Sequence, residues 1–298
     1  MMKKLYGVTT PIVTPFNDNG LVDLGAVGHI TDFLIEKGVN CLYPLGTTGE
    51  MLRLSVNERK AVAEKVVSQA AGRCVVYIHC GAARQDDTVE LVKHAEAIGA
   101  DGAGVVTPQF FGLNDREMET YYLTVSKSVS KDFPIYLYNI PQCSGNDLKP
   151  QVVENIVKQC ENVVGIKYSF ADMVRTNDYL RVNGGKFSVL HGCDSLFLPT
   201  LMMGCDGTVS GISGVYPEPF VALYKAYLMN DLAEAKRQQD IAIDIIKILR
   251  SGSNMAYFKA ALEYRGIPGG HMRAPQLDLL EEEKKEMIEE LKKRCNFL

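Results

Sequence analysis

Four stretches of the chain carry side chains able to make and break bonds, and each follows a short apolar run. They are Gly46-Thr47-Thr48-Gly49-Glu50, Tyr138-Asn139-Ile140-Pro141, Gly165-Ile166-Lys167-Tyr168-Ser169 and Gly192-Cys193-Asp194-Ser195. Lys167 ends the run Val163-Val164-Gly165-Ile166, which puts its amine at a strand end where charging it is costly. Desolvation there enlarges the neutral fraction that attacks a ketone to form an imine. Alone, such a lysine reads as a side chain snorkelling to solvent or pairing with a carboxylate. Tyr138, at a neighbouring strand end, offers a phenol able to pass a proton, although alone it reads as a packed ring with a satisfied hydroxyl.

The stretch from Gly46 to Glu50 joins a strand to a helix and brings two hydroxyls together with backbone amides, which suits a small carboxylate. The bland alternative is a tight turn with a threonine cap. Glu50 reads as support for the next helix start rather than as a base. His79 and His191 fall within or just after strands and read as core histidines. No His/Asp/Glu grouping has metal-ligand spacing, and Glu281-Glu282-Glu283-Lys284-Lys285-Glu286 reads as a solvated helix face.

The elements that must position these residues alternate along the chain. Eight short, β-branched apolar runs are expected as strands: 6–13, 41–44, 74–79, 102–106, 135–138, 163–168, 187–190 and 207–210. Helical patterns follow each of them, at 24–37, 56–71, 86–98, 115–130, 150–159, 173–182, 195–203 and 217–228, several opened by a cap such as Asp23, Ser55 or Asp194. Eight such units suggest an α/β fold of the (β/α)8 TIM-barrel type, with an open doubly wound sheet as the alternative. Three further helical patterns, at 231–249, 254–264 and 279–293, form a C-terminal helical extension. The expected division is a barrel domain over residues 1–228 and an extension over 229–298.

At 298 residues and 46% hydrophobic content, the chain can bury the core that this architecture needs. Its 32 basic and 36 acidic residues are interspersed without a basic stripe, so nucleic acid is not an expected partner. No apolar run approaches a bilayer span, and Met1 to Tyr6 lead into no signal-type apolar segment, so a cytoplasmic protein with no membrane partner is expected. Eight cysteines, without a Cys-x-x-Cys pair, read mostly as reduced core thiols.

Taken together, the Gly46–Glu50, Tyr138–Pro141 and Gly165–Lys167 stretches, in this order and at these separations, resemble the dihydrodipicolinate synthase and N-acetylneuraminate lyase family. The resemblance extends from Gly7-Val8-Thr9-Thr10-Pro11 through Gly204-Cys205-Asp206-Gly207 to the terminal helices. It implies a homotetramer of barrels whose lysine forms an imine with pyruvate, or with a 2-oxo acid cleaved to pyruvate, and no metal or organic cofactor. By that resemblance Lys167 is the nucleophile, Tyr138 the proton shuttle and Thr47 part of the relay. Thr48 and the loop amides from Gly46 hold the carboxylate, while Gly192 and Val209 present backbone carbonyls to the substrate and its lysine.

Departures from the family pattern bear on the second substrate. Cys143 stands where synthases carry an arginine for the distal carboxylate, and cysteine has no cationic fork. Phe110 stands where many members lend a tyrosine hydroxyl to the relay. Ser169 and Asp194 match polar contacts of sugar-acid lyases, but Ser195 and Gly211 depart from the sialic acid set. The implied activity is a class I aldolase acting on a smaller 2-oxo-3-deoxy sugar acid. Alternatives are dihydrodipicolinate synthase, N-acetylneuraminate lyase and a non-catalytic 2-oxo acid sensor.

Overall fold

Eight parallel strands close into a barrel in strict chain order: β1 (Gly7–Thr10), β2 (Cys41–Leu42), β3 (Val75–His79), β4 (Gly102–Val106), β5 (Ile135–Asn139), β6 (Val163–Tyr168), β7 (Ser188–His191) and β8 (Gly207–Val209). The computed structural model describes residues 2–252 and 254–294, so Cys295 lies outside the described residues. Gly7 pairs with Gly207 and Thr9 with Val209 to seal the barrel. The strands are buried on both faces because helices cover the outside and side chains fill the inside.

The interior is filled by pairing large residues with none. Tyr43, Tyr77 and Tyr136 point inward and are fully buried, and each occupies the space in front of a glycine, Gly104, Gly102 and Gly165 respectively. A Cβ at Gly104 would overlap the Tyr43 hydroxyl. This alternation lets a narrow barrel hold three phenol rings beneath the C-terminal ends of its strands.

Helices α1 (Leu24–Glu36), α2 (Val56–Ala70), α3 (Gln85–Ala97), α4 (Asp115–Ser126), α5 (Pro141–Ser144), α6 (Pro150–Gln159), α7 (Met173–Leu180), α8 (Phe197–Met203) and α9 (Pro217–Leu228) lie between or after the strands. Asp23 caps α1 through the Ala26 amide, and Ser55 forms a reciprocal capping box with Glu58 on α2, as their sequence positions suggest. The short α5 is not apparent in the hydrophobic pattern; Pro141 starts it and Gly145 stops it. Strand one is shorter than its apolar run, ending before Pro11, and α4 ends four residues before the expected Ser130.

Two expected helix supports are corrected. Asp194 opens a single 3-10 turn without capping it; its carboxylate instead accepts from the Ile212 amide in the loop after β8, at 3.3 Å. Glu50 does not serve α2, whose cap is Ser55. It turns into the protein, with 4% exposure, and pairs with Lys259 at 2.7 Å and Arg53 at 2.6 Å.

Lys259 belongs to the C-terminal helices, α10 (Leu232–Ile248), α11 (Met255–Tyr264) and α12 (Glu281–Arg294). Its ammonium also donates to the His271 carbonyl and lies 4.6 Å from the Phe16 ring centroid. Arg273 clasps the Gly20 and Arg53 carbonyls and the Glu58 carboxylate. Gln239 on α10 accepts from Leu198 and donates to the Asp194 carbonyl. These contacts draw the last helices onto the end of the barrel where the strands terminate.

Candidate active site

Lys167 and Tyr138 are register partners on β6 and β5, so both side chains enter the same interior tier. The Lys167 ammonium nitrogen lies 4.1 Å from the Tyr138 ring centroid and 5.3 Å from that of Tyr43. The residue is 6% exposed, and its amine has no hydrogen bond or ion pair among the described residues. It neither snorkels nor pairs with a carboxylate. Two aromatic faces flank it instead, and such faces favour an ammonium or an iminium by their quadrupoles.

The Tyr138 hydroxyl lies 3.4 Å from the Thr47 hydroxyl, a long contact that leaves the phenol free to reorient toward a bound molecule. Thr47 and Thr48 both line the cavity above Lys167. Neither amide donates within the chain among the described residues, which leaves two N–H groups for a carboxylate. The loop is held in that shape by left-handed residues at both ends, Leu45 (φ 67°) and Glu50 (φ 57°). Such conformations in non-glycine residues cost energy and persist where surrounding contacts impose them. Here the buried Glu50–Lys259 pair does so. Gly46 lies behind the cavity wall, with the Tyr43 and His79 rings next to it.

Ser169, Gly192, Asp194 and Val209 also line the cavity, which measures about 400 Å³. Gly192 is required by close approach, since a Cβ there would overlap the Ser169 hydroxyl. Gln142 donates to the Ser169 carbonyl at 2.7 Å and locks the loop after β5 to the end of β6. Cys143 is exposed on α5 at the cavity mouth. Asp194 is half-buried, but Oδ1 is shielded from solvent and has no hydrogen-bond partner among the described residues. Burial pushes its carboxyl up to about 6, against the smaller opposing effects of the Ser210 hydroxyl, the Ile212 amide and Lys167. Burial likewise raises the Cys193 thiol to about 11, which keeps it protonated.

Phe110 does not line the cavity of its own chain. It projects from the rim at 89% exposure, in left-handed backbone (φ 76°), edge-on to the equally outward Phe111 at 5.0 Å. His191 is fully buried and neutral, lowered to about 4 by desolvation, with Nδ1 accepting from the Cys193 amide. Among the described residues no group of three or more His, Cys, Asp or Glu side chains converges as metal ligands do.

The outer wall contains residues that strand-end reasoning does not reach: Ile246, Ser251, Gly252, Met255 and Phe258, all contributed by α10, α11 and the turn between them. The sequence does mark that turn. Gly252 interrupts the helical pattern and Asn254 caps α11 through the Ala256 amide. Nothing local indicates that the turn folds back over β7 and β8.

Comparison with known proteins agrees with this geometry. Residues 4–294 match the dihydrodipicolinate synthetase family. A probable 2-dehydro-3-deoxy-D-pentonate aldolase of Escherichia coli strain K12 is 37% identical over 241 residues, covering 78% of each chain. The crystal structure of dihydrodipicolinate synthase from Aquifex aeolicus superposes with a TM-score of 0.91 at 32% identity, over 97% of this chain and 98% of the other. A prophage protein of the dihydrodipicolinic acid synthase family from E. coli K12, solved with pyruvate, gives 0.92 at 30% identity over 98% and 99%. The chain belongs to the dihydrodipicolinate synthetase family and is a lyase of its class I aldolase type.

Proposed function

We propose that the protein joins or releases pyruvate and a short aldehyde through an imine on Lys167, and that its substrate is a 2-oxo-3-deoxy sugar acid or a related 4-hydroxy-2-oxo acid. The observation that carries this reading is the buried Lys167 amine between two tyrosine rings, unpartnered among the described residues, beneath a cavity whose described lining holds no second cation. A distal carboxylate would meet Cys143, Gln142 and Ser195 there, and the anionic Asp194. A neutral hydroxylated tail finds acceptors and donors. The pentonate aldolase relative supports the same substrate class.

In the cleavage direction the Lys167 amine adds to the C2 ketone, water leaves, and an iminium forms while the Thr47 and Thr48 amides hold the C1 carboxylate. Tyr138 takes the proton of the C4 hydroxyl as its own passes through the neighbouring Thr47 hydroxyl to the C1 carboxylate. The C3–C4 bond breaks, the aldehyde departs, and the electron pair passes into the iminium to give an enamine. Tyr138 gives that proton to C3 and regains its own from the C1 carboxyl through Thr47, and water releases pyruvate and free Lys167. Gly192 and Val209 line the inner end with backbone, and Ser169 and Asp194 meet the tail. No metal or organic cofactor enters these steps.

We read the chain as a barrel over residues 1–228 with a helical extension over 229–298 that walls the same site. We also infer a cytoplasmic homotetramer without nucleic-acid or membrane partners; no helix among the described residues is long and apolar enough to cross a membrane. The outward Phe110–Phe111 pair supports contact between copies of the chain, since exposed aromatic patches of this kind mark interfaces.

The test is incubation with pyruvate and borohydride followed by mass-spectrometric mapping, together with turnover of 2-oxo-3-deoxypentonate, 2-oxo-3-deoxygluconate, aspartate semialdehyde and N-acetylneuraminate. A reduced adduct on Lys167 and preference for a sugar acid are expected. Absence of the adduct overturns the imine reading; preference for aspartate semialdehyde overturns the substrate reading.

A further inference from the structure

His79 lies two residues beyond Tyr77 on β3, on the same inward face, and its ring meets that of Tyr138. It is fully buried. Nδ1 is 3.0 Å from the Leu45 carbonyl oxygen, which can only accept, so Nδ1 carries the ring proton. Desolvation first, and then the Arg59 and Lys167 charges, hold the ring neutral, well below the usual histidine range. Nε2 is therefore a bare lone pair, and it has no hydrogen-bond partner among the described residues. This is the reverse of His191, whose Nδ1 is the acceptor. Arg59 fixes the strand by donating to the His79 and Gly81 carbonyls.

The Tyr43 hydroxyl is a second buried polar atom without a partner. It occupies the space in front of Gly104, and Gly104 is the register partner of His79 on the next strand. A phenol O–H from the residue just past β2 and an imidazole lone pair on β3 thus lie side by side in the barrel, with ring centroids 6.0 Å apart and no direct bond. Burying both unmade is costly, whereas one water that accepts from Tyr43 and donates to Nε2 satisfies both. His79 also stands perpendicular to the Tyr138 ring, centroids 5.9 Å apart. It therefore neighbours both rings that flank the Lys167 amine.

We propose that His79 is a positioning residue for imine formation: bridged by one buried water to the Tyr43 hydroxyl, its Nε2 holds Tyr43 and Tyr138 on either side of the Lys167 amine. The proposal rests on the imine reading and adds a bound water and two residues, His79 and Tyr43, to its machinery. Neither residue touches the substrate; they act through the orientation of Tyr138 and Lys167.

The measurement is the single-turnover rate of borohydride-trapped imine formation with pyruvate, alongside equilibrium pyruvate binding, for wild type, His79→Leu, His79→Gln and Tyr43→Phe. Loss of one buried hydrogen-bond acceptor predicts a rate about tenfold lower in His79→Leu, with pyruvate affinity retained. His79→Gln, which keeps an acceptor, recovers most of the rate. Tyr43→Phe, which removes one oxygen and keeps the ring, slows the step as well. An unchanged rate in His79→Leu, or equal loss in the Leu and Gln variants, overturns the proposal, the second because it makes shape rather than the lone pair decisive. Should His79→Leu fail to fold, Tyr43→Phe decides, and an unchanged rate there overturns it. Wild-type protein that traps no adduct refutes the imine reading itself, so the two failures are distinguishable.

Discussion

The inner and outer ends of the cavity are built from different material. At the inner end Lys167 and Tyr138 come from paired strands, in fixed register, with 6% and 1% exposure. At the outer end Cys143 rides on a four-residue helix and Ser251, Met255 and Phe258 come from the C-terminal helices. Strand positions are set by a hydrogen-bonded ladder, which suits chemistry that must hold atoms within fractions of an ångström. Loops and appended helices tolerate replacement without disturbing that ladder. The difference separates how the reaction is done from what it is done to.

Lys167→Ala gives the largest effect that this division predicts. It removes the proposed nucleophile, and turnover should fall by about four orders of magnitude or more, with no borohydride adduct. Retention of a trapped adduct on another residue would break the assignment of the inner end. Tyr138→Phe should come next. It keeps the ring beside Lys167 and deletes only the hydroxyl, so kcat for aldol cleavage should fall about a hundredfold or more while the pyruvate adduct still forms. Equal losses of adduct and cleavage would mean that the phenol serves imine formation rather than the C4 proton.

The same division explains what could be read from the sequence. Lys167 and Tyr138 close apolar strand runs, whose period fixes which residues share the inward face, and Thr47 and Thr48 sit in the loop after the second run. Eight βα units were legible for that reason, while closure into a barrel rather than an open sheet rested on the family resemblance. Glu50 was misread because its partner, Lys259, lies on α11, far along the chain, and local propensity carries no trace of a long-range ion pair. Ser251, Met255 and Phe258 escaped likewise: helical patterning shows that a helix exists, not where it docks. His79 was read as a core histidine, and burial agrees; only its hydrogen bond to Leu45 reveals which nitrogen is left bare.

Asp194 sits between the two ends and sharpens the comparison through pH. Its carboxyl, pushed up to about 6, ionises above that value, and on the proposed function it then accepts from a substrate hydroxyl through the unpartnered Oδ1. As pH falls through about 6 the proton returns, and KM for the sugar acid should rise while pyruvate adduct formation holds. Asp194→Asn should raise KM about tenfold at neutral pH, the worth of one buried hydrogen bond to a charged acceptor, and flatten that inflection. Stability runs the other way. Because the folded pKa is raised from 3.8, the native state keeps a proton that the unfolded chain releases, so stability from this residue declines as pH rises from 3.8 through about 6. A variant that alters pyruvate trapping instead would place Asp194 at the inner end.

The smallest effect is expected at the mouth, from Cys143→Arg. The position is exposed, so a new guanidinium would act through water and be screened by salt. It nevertheless supplies the fork that a distal carboxylate lacks here. Turnover of an aldehyde bearing a second carboxylate should rise about threefold to tenfold at low ionic strength, and the gain should shrink as salt is added. Pyruvate affinity and the adduct rate should stay at their wild-type values, since α5 leaves the strand ladder untouched. A salt-independent gain would point to altered packing of the loop after β5, where Gln142 holds the Ser169 carbonyl, rather than to charge. A matching loss in pyruvate trapping would show that the two ends of the cavity are mechanically coupled through that same hydrogen bond.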